Sequence, residues 1–475
     1  MRYPALLTDL YELTMLAGYI EEGMTEKRAV FDLFFRTNPF EGGYAVFAGL
    51  GPALEYLEEL CFTEEDLAYL AGLGLFRPRI IEFLRKFRFR GTVIAPPEGT
   101  VVFANEPLVT VVGTLAEAQF VETALLTIIN YQTLVATKAA RMAHSAAGGT
   151  IIEFGLRRAH GPNGGLSCAR AACIGGARST SNVEAGRVYG IPVRGTQAHS
   201  WIMAFPNELA AFRAYAAAFP DTCILLVDTW DTLKSGVPNA ITIARELREQ
   251  GHSLRGIRID SGDLAWLSRE ARRMLDAAGF PDVRIVASNE LDEYVIESMK
   301  NEGSRIDIYG VGTRLATCAG PGGGALGGVY KLVELDGRPL IKVTNDVAKA
   351  TLPAKKRLLR AVAPDGTFIQ DVICLEGDTI GPNDVVYHPV NPLLHTTIPA
   401  AAQLADLRRV VMEGGVLRLA EESLDEMADR SARELALLPE GCLRLINPHR
   451  YKVSVSQRLN DLKTRLIEEA RGHWE

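Results

Sequence analysis

Between residues 150 and 312 the chain repeats one grammar, an apolar run of strand length followed by helical text. The runs are TIIEFG from Thr150, IPVRG from Ile191, CILLVDT from Cys223, LRGIRID from Leu254, VRIVASN from Val283 and RIDIYGVG from Arg305. Their starts lie roughly 20 to 40 residues apart, the length of a strand, a helix and the loops that join them. The intervening LAWLSREARRMLDAAGF sets Leu264, Leu267, Ala271 and Leu275 at near-helical spacing and offers Gly279 as a stop. Six such repeats predict an α/β fold, an irregular α/β (TIM-like) barrel in preference to a doubly wound sheet. No G-x-G-x-x-G follows the first run, which weakens a dinucleotide site.

The flanks obey other rules. Asp9 and Glu12, ahead of Leu13 and Leu16, predict a capping-box-like start to an amphipathic helix. VFDLFFRTNPF reads as a strand that delivers Arg36 to a loop broken at Asn38-Pro39. From Gly91 to Gly113, valine-rich text punctuated by Pro and Gly predicts short antiparallel strands, and the helical text after it places a boundary near residue 114. After Gly328 two hairpins follow, with Asp336-Gly337 and Asp365-Gly366 at their turns, and SQRLNDLKTRLIEEA closes the chain as a helix. The expected organisation is an N-terminal segment 1–113, a barrel with leading helices over 114–328, and a C-terminal segment 329–475 that returns to form, with the first, a β-rich α/β sandwich domain.

Composition narrows the function. A net charge of −7 gives no global field for nucleic acid, so an anionic ligand must be held by local donors. Asp9 and Glu12 interrupt any signal-peptide core, and no apolar run approaches the length of a membrane span, which predicts a soluble, cytoplasmic protein. The seven cysteines are scattered without a C-x-x-C pair and predict reduced thiols, not disulfides or a zinc site.

In a barrel the chemistry sits at the carboxyl ends of the strands. Those ends carry Glu153 with Arg157 and Arg158, Thr196 with His199, Asp228, Arg258 with Asp260, Ser288 with Asn289, and Gly312 with Thr313. Singly, each also reads as structure: His199 as a capping or packed histidine, Asp263 as the cap of the helix from Leu264, Arg258 and Asp260 as a salt bridge, Gly312 and Thr313 as a tight turn. Together they predict a polar pocket that binds anions. The glycines and threonine of GVGT suit backbone N–H donation to a phosphate, and Asp260 suits ribose hydroxyls or a hydrated Mg²⁺. Converging arginines suit a planar carboxylate.

The ordered motifs LLTDLYELTM, FDLFFRTNPF, PEGTVVFANEPL, QTLVATKAAR, EFGLRRAHGP, TSNVEAG, GTQAHS, IRIDSGDL, SNELDE, GVGTRLATC, GGVYKLVE and NPHRYKVS resemble the nicotinate phosphoribosyltransferase family along nearly the whole chain. The resemblance implies condensation of nicotinate with 5-phosphoribosyl 1-diphosphate to nicotinate mononucleotide and diphosphate, coupled to ATP hydrolysis, with Mg²⁺, in a homodimer with shared active sites serving NAD salvage. It implies that His199 carries the phosphoryl group and that Asp260 contacts the ribose. Phe154, with Tyr11 of the second copy, would sandwich the pyridine ring, and Arg157, Ser181, Thr196 and Arg258 would hold the nicotinate carboxylate and its surroundings. Gly312 and Thr313 match the 5-phosphate loop; Arg36, Lys331 and Lys342 match diphosphate contacts across the dimer. Ser181 stands where nicotinamide-using relatives carry an aspartate, and a hydroxyl can donate to the acid where a carboxylate would repel it. A nicotinamide enzyme and a non-catalytic metabolite-binding relative are the competing readings. The chain departs from the family text at GARSTSN, where GFDGTSN is usual, and at PAKK from Pro353, where PGKK is usual.

Overall fold

The computed structural model describes residues 3–343, 350–391 and 393–472. It divides into two compact units, Met1–Leu134 with Ala325–Glu475, and Val135–Gly324. The first division falls inside the long helix Glu122–Ala146, later than the change of period near residue 114. The reason is the short helix Leu115–Phe120 that precedes it: Leu115, Ala116, Ala118 and Phe120 are buried in the core of the first unit.

The unit Val135–Gly324 is built on a five-stranded parallel sheet. In chain order its strands are Thr150–Glu153, Ile224–Leu226, Gly256–Ile259, Arg284–Ser288 and Ile308–Val311. In space the first lies beside the last, and the order then runs backwards along the chain to Ile224–Leu226. Ile151, Leu225, Ile257, Ile285 and Tyr309 are all buried, as parallel strands covered by helices on their faces require. Gly161–Ile174, Val237–Glu249, Leu264–Ala277 and Glu293–Asn301 supply that cover.

No closed barrel forms among the described residues, which corrects the TIM-like expectation. The run IPVRG, expected as a strand, gives only a single parallel bridge from Val193 to Thr180, and Thr180 a second one to Glu153. Pro192 has no N–H to donate, Gly190 turns the chain with a φ of 71°, and Val193 to Gly195 are exposed, so the segment lacks the buried face of a strand. The sheet therefore ends in two one-residue extensions instead of a paired strand.

The unit formed by the two ends of the chain holds a seven-stranded and a six-stranded sheet. The seven-stranded sheet is antiparallel throughout and interleaves the two chain ends, with Arg28–Phe35 paired to Val109–Thr114 on one side and to Gly328–Leu335 on the other. The other sheet centres on the hairpin of Lys356–Val362 with Phe368–Leu375, against which Lys452–Ser456 pairs in parallel. Asp336 and Gly337 both take positive φ at the expected turn. Asp9 occupies the N-cap position of the helix Leu10–Glu21 but makes no capping bond, and Glu12 points inward to accept from Gln119 at 2.8 Å. The capping-box reading thus gives way to a buried carboxyl. All seven cysteines are free. No described helix is long and apolar enough to cross a membrane.

Candidate active site

Glu153, the last residue of the first strand, is 1 % exposed and organises two backbone segments. One carboxylate oxygen accepts from the N–H of Gly155 and the other from the hydroxyl of Thr180 at 2.5 Å. Its own carbonyl accepts from Ser181 N–H at 2.9 Å, and the Thr180 hydroxyl accepts in turn from Asn182 N–H at 2.9 Å. Burial pushes the Glu153 carboxyl above the usual carboxylate range, against the pull of those two bonds. Phe154 and Ser181, both half-buried, project from the segments fastened in this way.

The ring of Phe154 lies against the last strand: a Cβ on Gly310 would stand 2.6 Å from two of its ring carbons, so only glycine fits there. A Cβ on Gly312 would stand 3.0 Å from the Phe154 carbonyl oxygen, and Gly312 opens the four-residue helix Thr313–Ala316. Thr313 is half-buried at the head of that turn.

Arg258 leaves the third strand with a mostly buried side chain. One terminal nitrogen donates to Thr196 Oγ1 at 2.5 Å and to the Gln197 carbonyl at 3.2 Å; the other lies 3.9 Å from Asp260 Oδ1. Its Nε is buried without a hydrogen-bond partner. Burial first, and then the guanidinium of Arg157, hold Arg258 below the usual arginine range, while Asp260 and Asp228 oppose them. Arg157 itself is exposed. Two guanidiniums within electrostatic reach, one of them incompletely satisfied, favour an anion between them.

His199 is the first residue of the short helix His199–Met203, whose N-cap position belongs to Ala198, so the histidine does not cap it. Its ring turns to the strand ends: Nδ1 is 3.1 Å from Thr229 Oγ1 and Nε2 is 3.8 Å from Asp260 Oδ2. Asp260 accepts from the Ser288 hydroxyl on Oδ1. Asp228 Oδ2 accepts from Asp260 N–H at 2.9 Å and from Ser261 Oγ at 2.6 Å, and its Oδ1 is buried with no partner. Asp263 caps the helix Leu264–Ala277 through Trp266 N–H, as the sequence suggested. Nothing in the local sequence singles out Thr180, Gln197 or Thr229; they are polar residues one step from a named residue, and only the fold turns them toward their partners.

The remaining named residues belong to the other unit. Tyr11 sits beside Glu12 and Glu122, and Lys331 lies 3.8 Å from Glu122, so these two share one polar cluster. Arg36 stands 5.5 Å over the ring of Phe34. Lys342 is exposed, and its N–H donates to Thr351 Oγ1 at 3.1 Å.

Among the described residues no group of three or more His, Cys, Asp and Glu is arranged to hold a metal ion. A hydrated Mg²⁺ needs less, one or two carboxylates with the rest of its shell from water and phosphate oxygens. Asp228, with its unpartnered Oδ1, and the neighbouring Asp260 fit that demand.

Comparison with known proteins matches three family models in order: the nicotinate phosphoribosyltransferase N-terminal domain over residues 6–130, the nicotinate phosphoribosyltransferase family over 150–366, and the nicotinate phosphoribosyltransferase C-terminal domain over 355–463. The chain is 42 % identical to a nicotinate phosphoribosyltransferase of Bacillus subtilis over 98 % of its own length and 97 % of that protein. It is 35 % identical to the human protein of that name, over 96 % and 95 % of the two chains. The crystal structure of human nicotinic acid phosphoribosyltransferase superposes with a TM-score of 0.86 at 33 % identity, covering 97 % of this chain and all of that one. A nicotinate-nucleotide pyrophosphorylase from Pyrococcus furiosus shares the fold, with a TM-score of 0.70 at 22 % identity, covering 90 % of this chain and 94 % of that one.

Proposed function

Because the chain belongs to the nicotinate phosphoribosyltransferase family, we propose that it condenses nicotinate with 5-phosphoribosyl 1-diphosphate to nicotinate mononucleotide and diphosphate. The pinned, partly unsatisfied Arg258 beside Arg157 is the observation that carries the reading to these residues. The two guanidiniums and the Ser181 hydroxyl hold the pyridine carboxylate, and Phe154 stacks on the ring. Gly312 and Thr313 receive the 5-phosphate, and Asp260 the ribose. Tyr11, Arg36, Lys331 and Lys342 act from a second copy of the chain in a homodimer.

Rupture of the bond from ribose C1 to diphosphate builds positive charge on the sugar, so the enzyme needs no strong nucleophile of its own. It holds the ring nitrogen in line with C1 and keeps the carboxylate fixed while the bond exchanges. Mg²⁺ supplies charge neutralisation on the departing diphosphate when bound with it, and Asp228 and Asp260 are the residues that would hold it. ATP is spent at His199. With Nδ1 engaged by Thr229, Nε2 is the nitrogen left to take the terminal phosphoryl group as ADP departs, and water later releases phosphate from it. Asp260 near Nε2 orients the ring.

Separate assays with nicotinate, nicotinamide and quinolinate, each with and without ATP, test the reading. Nicotinate turnover that ATP stimulates is expected. Preference for the amide would remove the Ser181 argument, and binding without turnover of any of the three would leave only a metabolite-binding relative.

A further inference from the structure

The unit built from the two chain ends carries a cleft of about 440 Å³ that shares no residue with the candidate active site. Four arginines line it, Arg408, Arg409, Arg430 and Arg433. They come from two walls. Arg408 and Arg409 lie at the start of the strand Arg409–Glu413, and Arg430 and Arg433 sit three apart on one face of the helix Leu424–Ala436.

The charge in the cleft is not cancelled by its own carboxylates. Asp406 is paired outward with Arg357 at 3.0 Å, and Glu434 with Arg360 at 3.1 Å. Among the described residues Glu422 pairs with two of the four, at 2.6 Å from Arg430 and 3.6 Å from Arg409, and Arg430 also donates to the Glu98 carbonyl. The Arg433 side chain makes no hydrogen bond or ion pair with any described residue. A concentration of guanidinium charge in a chain of net charge −7 is a local device. Arg408 is 7 % exposed and held by the Pro107 carbonyl at 2.9 Å and by Thr110 Oγ1 at 2.7 Å. Its Nε, and the Oγ1 of the fully buried Thr100 on the same lining, are left without hydrogen-bond partners. Both atoms are closed off from solvent, so they lie behind the cleft wall and take no part in its binding surface.

The forks of Arg408 and Arg430 are taken up by protein acceptors, and the exposed guanidiniums of Arg409 and Arg433, one on each wall, are the ones that match phosphate oxygens. Leu407, Leu437 and Pro97 complete the lining with apolar surface, and the volume is that of a ligand larger than a bare phosphate. We propose that this cleft binds an organic polyphosphate of nucleotide size, at a site additional to the catalytic one. The proposal stands on this geometry and does not depend on the proposed reaction.

Equilibrium dialysis of the full chain with ATP, at low and at physiological salt, tests it. In the variant R409E/R433E, the number of ATP molecules bound per chain is expected to fall by one relative to the unmodified protein. That decrement is the same whether or not the catalytic site also binds ATP, so failure of the catalytic reading and failure of this one are distinguishable. Both residues are exposed, and R409Q/R433Q, which removes the charge without reversing it, should weaken the same binding event at least tenfold. Inorganic diphosphate should compete at this site at least tenfold more weakly than ATP. An unchanged ATP number in both variants overturns the proposal. Equal affinity for diphosphate and ATP overturns the assignment of a nucleotide-sized ligand.

Discussion

Glu153→Gln removes one charge and no volume from the residue that fastens Phe154 and Ser181. The carboxylate now serves two donors, the Gly155 N–H and the Thr180 hydroxyl, while Thr180 accepts from Asn182. An amide has one acceptor end. If its oxygen faces Gly155, its NH₂ meets a Thr180 oxygen that already accepts, and the Thr180 proton loses its partner. If the amide is reversed, the Gly155 N–H is stranded. Either way one buried donor is orphaned, which costs about 1 to 3 kcal/mol. In a unit of this size that is a fall of roughly 2 to 10 °C in melting temperature. The two segments that loosen carry ring and carboxylate contacts made in ground state and transition state alike. KM for nicotinate should therefore rise about tenfold while kcat changes less than about threefold, and KM for the phosphoribosyl substrate should hold. Thr180→Val breaks the same bond from the other side, so the double variant should cost less than the sum of the two. Steady-state kinetics with each substrate varied, beside thermal melts, read all of this. An unchanged melting temperature and nicotinate KM, or a fall in kcat alone, would refute the positioning argument.

Three further perturbations have worked signs. His199→Ala should abolish ATP hydrolysis and leave some ATP-independent nucleotide formation; full ATP turnover would show that another group carries the phosphoryl. Arg258→Lys keeps the charge and loses the fork that spans Thr196 Oγ1 and the Gln197 carbonyl, so kcat/KM for nicotinate should fall roughly 10- to 100-fold, and activity within twofold of the parent would contradict the pinned geometry. Glu12 is fully buried, and burial, helped by Glu122 and opposed by Gln119, pushes its carboxyl up from 4.5 to about 7. The native state thus holds this proton more tightly than the unfolded chain does. The stability it gives is complete below pH 4.5 and is lost as pH rises toward 7, a swing of about 3 kcal/mol. Glu12→Gln should flatten the rise of the urea midpoint on going from pH 7 to pH 5 and raise the midpoint at pH 8. A parent–variant difference that does not change with pH would remove Glu12 as the cause.

The parts of the fold that were legible were those where local pattern and burial agree. The five parallel strands are runs of apolar residues buried on both faces, and the hairpin at Asp336-Gly337 needs two positive-φ residues that this pair supplies. The second run failed because IPVRG looks like a strand only until its proline and its exposed residues are weighed; one bridge at Val193 is all it sustains. Glu12 misled in the opposite direction. Three residues after Asp9 it completes a capping-box spacing, but its partner Gln119 is more than a hundred positions away in the chain, beyond what local pattern can report. Ala354 shows a related blind spot. The text PAKK differs from PGKK by one methyl, yet Ala354 sits at a φ of 64°, where an L-residue costs about 1 to 2 kcal/mol, so the departure falls where the backbone favours glycine.

At the candidate site the division is between side chains and what fastens them. The strand-end rule finds Glu153, Asp228, Arg258, Asp260 and Ser288 because each lies at or next to the carboxyl end of an apolar run. It does not find the cross-connections: Ser288 to Asp260, Asp260 N–H to Asp228, Thr196 to Arg258. The first two link neighbouring strand ends 28 and 32 positions apart, with partners set by the order in which the strands lie side by side, and the third ties a strand end to the loop before His199, 62 positions away. That order, with the first strand against the last, is not written in any run. It is also what brings Phe154, after the first strand, onto the bare backbone of Gly310 in the last. A side chain at residue 310 would displace the ring without touching any substrate, so the glycine of GVGT serves the aromatic platform as well as the phosphate loop.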